Sequence, residues 1–139
     1  MNAEEKNKNT RCIVLIIEDS LLDFELMQGA LKNEIGCEVH LVRTRAEFED
    51  ELAHETPNVI VSDSNMVLFD GMTALKLATD KCPGVPFAFC SGMIREQSHR
   101  EFFGRKVDCV PKEVGFAHLV QFVKDTCKCS DEPKQDSPQ

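Results

Sequence analysis

The chain has 139 residues, a formal net charge of -8, and 42% apolar and 29% charged residues, enough for one domain around one core and too apolar for global disorder. The acidic balance and the lack of a basic stripe argue against nucleic acid as a direct partner, since a phosphate backbone is met by dense Lys and Arg. No apolar run of about 18 residues occurs, and the opening MNAEEKNKNT lacks the apolar centre of an export signal, so no membrane partner and a cytoplasmic address are expected.

Residues 1–11 read as a polar N-terminal segment, 12–126 as the domain, and 127–139 as a polar, disordered tail. CIVLII (12–17) is a continuous apolar run, as in a strand covered on both faces. Leu21, Phe24, Met27 and Leu31 then recur at helical spacing over 21–34, and Gly36 is a stop signal. CEVHLV (37–42) is a second strand. Thr44 to Glu47 form a capping box opening a helix to about residue 54, and Pro57 precedes a third strand over 58–62. A helix from Gly71 to Lys81 and the turn Pro83–Pro86 lead into the fourth strand, FAFC (87–90). Residues 95–104, polar with Phe102 and Phe103, predict a short helix. VDCV (107–110) is a fifth strand, and Phe116, Leu119, Val120 and Val123 face the core from a last helix.

Five strands alternating with five helices predict a doubly wound parallel sheet with helices on both faces. Ligands then bind outside the carboxyl ends of the strands. Those ends carry Glu18-Asp19, Asp63, Ser91 and Lys112. Singly, Asp19 reads as a helix cap and Lys112 as a solvated lysine; together they put three carboxylates, a hydroxyl and an ammonium at one rim. Clustered carboxylates repel one another, and a hard divalent cation such as Mg2+ resolves this with oxygen ligands. A carboxylate beside it can act as nucleophile toward a phosphoryl group, with Lys112 neutralising the transferring oxygens and Ser91 hydrogen-bonding them.

Seven cysteines are an odd count. Cys12, Cys90 and Cys109 lie in apolar runs, where Cys behaves as a small hydrophobe. Without an export signal no disulfide framework is expected. Cys127 and Cys129 form a Cys-x-Cys that reads as two reduced thiols; a zinc site wants four ligands, and no second pair appears in the sequence.

In IVLIIEDS (13–20), VIVSDSNMVLFDG (59–71), FAFCSG (87–92) and CVPKE (109–113), the sequence resembles the receiver domain of bacterial two-component response regulators. The resemblance implies a flavodoxin-like five-stranded sheet in the order 2-1-3-4-5. It implies that Asp63 accepts a phosphoryl group from a histidine kinase or a histidine phosphotransfer protein. Glu18, Asp19, Asp63 and the backbone carbonyl of Asn65 would hold Mg2+, for which Mn2+ can substitute. Ser91 would be the switch hydroxyl and Lys112 the phosphate-pairing lysine. A downstream protein would be met through the face of the fourth helix, fifth strand and fifth helix. Such a domain is a self-phosphorylating acceptor with slow autodephosphorylation, not a turnover enzyme.

The departures are local. Val67 stands where the family usually has proline, and Pro111 precedes Lys112 instead of following it. Cys109 replaces a common aromatic residue, and Arg105 a small one. With no Tyr or Trp in the chain, an aromatic switch at Cys109 cannot operate. No output domain follows residue 126, so a stand-alone receiver, or one cut from a longer protein, is expected. Two alternatives remain: a pseudo-receiver that binds partners without phosphorylation, and an aspartate-nucleophile phosphohydrolase, which would want an aspartate where Asn65 stands.

Overall fold

The computed structural model describes residues 11–127. Strand β1 (Ile13–Ile17) is buried at every position. It lies between β2 (Glu38–Val42) and β3 (Val59–Ser62), parallel to both. Next in the sheet come β4 (Phe87–Ser91) and β6 (Arg105–Pro111), again parallel. The last strand, β5 (Ser98–Phe102), runs antiparallel to β6, giving a six-stranded sheet in the order β2-β1-β3-β4-β6-β5.

Period-two alternation along the strands divides the core. Val14 and Ile16 of β1 join Met27 and Leu31 of α1 (Leu21–Glu34) and Leu119 and Val123 of α4 (Ala117–Cys127). Leu15 and Ile17 point the other way, to Phe48 of α2 (Arg45–His54) and to Leu75 and Ala78 of α3 (Gly71–Lys81). Each such fully buried Leu, Ile or Phe contributes about 1.5–3 kcal/mol by leaving water.

The caps follow the sequence signals. Ser20 Oγ accepts from Asp23 N at the start of α1, so the cap is Ser20 and not Asp19. Thr44 Oγ1 accepts from Glu47 N, while Glu47 reaches back to Arg43 N at 2.6 Å. Asp70 caps α3 through Thr73 N.

Two expectations are corrected. Residues 98–102 are a strand, not part of a helix. REQSHREFFG (95–104) has only two apolar residues, and they are adjacent, so no stripe at i, i+3, i+4 exists to hold a helix on the sheet. Phe103 and Gly104 instead form a two-residue turn with φ of 52° and 75°, the left-handed pair that closes a β-hairpin. The described residues therefore hold four α-helices where five were expected, and the face expected of a fourth helix is a strand.

The second correction concerns thiols. Cys12 and Cys127, 115 residues apart, are joined as a disulfide with Cα atoms 6.5 Å apart. Sheet pairing and the docking of α4 bring them together, which sequence spacing does not display. Cys129 and the polar segments expected at the two ends lie outside the described residues, except for Arg11 and Cys127.

Candidate functional site

Parallel pairing carries the ends of β1, β3, β4 and β6 to one rim. The pairing runs one residue past the strands: Glu18 N donates to Val42 O at 3.1 Å, and Asp63 N to Ile17 O at 3.0 Å. Both carboxylates are thereby fixed by backbone. Lys112 N donates to Ser91 O at 3.0 Å, which joins the other two predicted residues across β4 and β6.

Glu18, Asp19 and Asp63 each present a carboxylate oxygen, all within 4.8 Å of one another. Glu18 is 1% and Asp63 9% exposed. Lys112 reaches across them, its Nζ 2.8 Å from Glu18 Oε1 and 3.5 Å from Asp63 Oδ2. Its shortest contact, 2.7 Å, is to Asp23 Oδ2 on the first turn of α1. Sequence reading missed Asp23; three residues past the Ser20 cap, it reads as an acid favoured by the helix dipole.

Burial raises the pKa of Glu18, partly offset by its contact with Lys112 and by the Ser20 N–H. For Lys112 burial acts downward, but the hydrogen bonds to Asp23 and Glu18 prevail and hold the ammonium well above its ordinary range. The rim thus keeps one fixed cation among four carboxylates. Glu18 Oε1 is buried and its one close cationic partner is the Lys112 ammonium at 2.8 Å. Three carboxylates held together with little solvent form an all-oxygen cluster whose chemistry fits a hard cation such as Mg2+.

The loop after β3 wraps this cluster. Asn65 N donates to Asp63 Oδ1 at 3.1 Å, and Val67 N to Asp19 Oδ2 at 3.1 Å. Proline, usual at the Val67 position in the resemblance, has no N–H to donate; the departure is used to orient Asp19. Arg43 Nη2 also holds this segment through the Asp19 carbonyl at 3.1 Å. Gly71 makes the close approach possible: a Cβ there would lie 3.0 Å from the Phe89 ring and 3.1 Å from Asp63 O.

Ser91 is 1% exposed, and its Oγ accepts from Met93 N at 3.0 Å. Beside it a groove of about 420 Å³ runs between Ser64, Phe89, Met93, Arg100, Phe102 and Cys109. It lies along the β5–β6 hairpin, where a helix was expected. Cys109 is 8% exposed and stands opposite Ser98. Arg105, at the turn end of the hairpin, donates to Val85 O at 2.5 Å.

The chain matches the response regulator receiver domain family over residues 14–124. It is similar in structure to a CheY-like receiver domain protein from Methanospirillum hungatei JF-1, with 18% identity over 88% of this chain and 98% of that one, at a TM-score of 0.68. A receiver domain protein from Bacillus halodurans C-125 shares 14% identity over 84% of this chain and 97% of that one, at a TM-score of 0.67. A chain in the crystal structure of histidine kinase ThkA with response regulator protein TrrA shares 17% identity over 83% and 97%, at a TM-score of 0.70. These likenesses show the fold. No curated protein sequence matches. The chain belongs to the response regulator receiver domain family.

Proposed function

We propose that this receiver domain is phosphorylated on Asp63 and signals by changing its binding to a partner protein. The observation that carries the reading is the joint placement of Asp63 among Glu18, Asp19 and Lys112, with the carboxylate oxygens of the three acids within 4.8 Å. Asp63 attacks the phosphorus of a phosphohistidine on a histidine kinase or phosphotransfer protein. The phosphorus–nitrogen bond breaks as the phosphorus–oxygen bond forms, and the leaving imidazole takes up a proton.

Glu18, Asp19, Asp63 and the Asn65 carbonyl would hold Mg2+, or Mn2+ in its place, which supplies charge neutralisation for the transferring oxygens. Val67 N–H and Arg43 orient Asp19. Lys112 leaves Asp23 to pair with the phosphoryl group. Ser91 Oγ turns from Met93 N–H toward the same oxygens, and this couples the rim to the groove and the β5–β6 hairpin. That hairpin, with α4, takes the place of the expected output face and meets the downstream protein. The chain acts as an acceptor with slow autodephosphorylation and works in the cytoplasm; among the described residues no helix is long and apolar enough to cross a membrane.

The test is to phosphorylate the protein with acetyl phosphate and Mg2+ and reduce it with borohydride, which converts an acyl phosphate to an alcohol. A homoserine at position 63 supports the reading. Reduction at another carboxylate, or none with Mg2+ present, overturns it.

A further inference from the structure

The two faces of the β5–β6 hairpin differ in charge. On one, His99 stands opposite Asp108 and Glu101 opposite Lys106, so a base faces an acid in both pairs. On the other, Ser98, Arg100 and Phe102 stand opposite Cys109, Val107 and Arg105. Val107 is fully buried, and Arg105 turns to the Val85 carbonyl. Arg100 is left without a counter-charge. Among the described residues neither it nor Arg95 has an ion-pair partner. Both arginines line the groove of about 420 Å³ beside Ser91, and the one carboxylate in that lining is Glu96.

Most of the remaining lining is apolar. Phe89 and Phe102 meet edge to face with ring centroids 6.2 Å apart, and Met72 and Met93 are 39% and 78% exposed. Aromatic rings receive another ring edge to face or stacked, and methionines adapt to its outline. The walls are already held. Met93 N and Ile94 N donate to Ser91 Oγ and Ser91 O at 3.0 and 3.2 Å, which fixes the loop on one side, and the β5–β6 ladder fixes the other. We propose that this groove binds a small acid with an aromatic body. The body lies against Phe89, Phe102 and the two methionines, and the carboxylate meets Arg100, with Arg95 beside it. A guanidinium presents paired N–H donors that match both oxygens of a carboxylate.

Size and charge select this occupant over two others. The volume lies in the range of small-molecule sites. A two-turn helix of a partner, about 11 Å long and 10 Å across, displaces roughly twice as much. A second copy added at the β5 edge is opposed by charge, since a two-fold axis at the middle of Ser98–Phe102 sets Arg100 against Arg100. Binding here involves no covalent step and does not rest on the phosphorylation of Asp63.

The test titrates cinnamate, an aromatic carboxylate, into the full chain and follows amide chemical shifts. Saturable shifts are expected in residues 93–96 and in Ser98–Phe102. Cinnamyl alcohol has the same body without the charge, and on the wild type it is expected to bind about tenfold more weakly, the size of one charge-assisted contact. In Arg100→Gln, a change at an exposed position, acid and alcohol are expected to bind alike. The absence of saturable shifts overturns the proposal, and so does saturation confined to other residues. Equal affinity of the wild type for acid and alcohol overturns it as well, as does a preference for the acid that survives in Arg100→Gln. An acidic peptide with apolar residues at helical spacing that moves these amides where cinnamate does not overturns it in favour of a partner segment.

Discussion

Lys112 holds the metal-free rim together, and its removal has two opposed effects. Lys112→Ala leaves Glu18 and Asp63 facing each other with only Asp19 and Asp23 nearby, all negative. We expect a loss on the order of 2 kcal/mol of stability without divalent cation, largely restored by millimolar Mg2+. Thermal melts with and without Mg2+ read this directly; an equal loss in both would mean that no cation substitutes for the ammonium. Asp23→Asn is milder in charge but informative. It frees Lys112 from its shortest contact, so phosphorylation is expected to persist while the response of the β5–β6 amides to phosphorylation changes in amplitude. Unchanged amide shifts in nuclear magnetic resonance spectra would exclude Asp23 from the switch. Asp23 was invisible in the sequence because an acid in a first helical turn has an ordinary explanation. Only the pairing of β6 with β4 carries Lys112 across to it.

At the scale of elements, two joints carry distinct predictions. His40 of β2 bonds Glu51 of α2 at 2.5 Å and Glu38 at 3.1 Å. The Glu51 hydrogen bond raises the imidazole pKa above its ordinary 6.5, against burial and with help from Glu38. Folding therefore favours the protonated ring. That contribution is complete below the ordinary value and disappears as pH rises through the folded one. The melting temperature should fall between about pH 6 and pH 8 more steeply in wild type than in His40→Gln; parallel curves would remove His40 from the linkage. Gly104→Ala places a Cβ at a φ of 75° in the hairpin turn, with an expected cost of about 1–2 kcal/mol. Denaturant melts check it, and no loss would mean that the turn relaxes elsewhere. Gly71→Ala acts on the site instead: its Cβ presses on Asp63 O and Phe89, and slower acetyl phosphate labelling with a retained fold is expected. The helices and parallel strands were legible because each pairs a periodic apolar face with a cap or stop. The hairpin was not. Ser98–Phe102 is exposed but for partly buried Phe102, and its strand state depends on the edge of β6 and on the Phe103–Gly104 turn.

For the whole molecule, the chemistry was legible where the output was not. Glu18, Asp19, Asp63, Ser91 and Lys112 each close an apolar run, and a parallel sheet has no other way to arrange such ends than along one rim. The Cys12–Cys127 disulfide was hidden for the converse reason: its two halves, 115 residues apart, stand just before β1 and at the end of α4 and meet only through the docking of that helix on the sheet. The sheet also ends on an antiparallel strand where a covering helix was expected, which leaves the Phe89–Phe102–Cys109 groove open next to Ser91. A domain built this way keeps the acceptor rim of its family and presents a different surface to partners. The central claim is that this rim takes a phosphoryl group on Asp63 with the help of a divalent cation. Its most direct test is the intact mass of wild type and Asp63→Asn after incubation with acetyl phosphate, each with Mg2+ and with chelator. The account predicts a gain of about 80 Da, one phosphoryl group, in wild type with Mg2+ and in no other sample. The same gain in Asp63→Asn, or none in wild type, would contradict it.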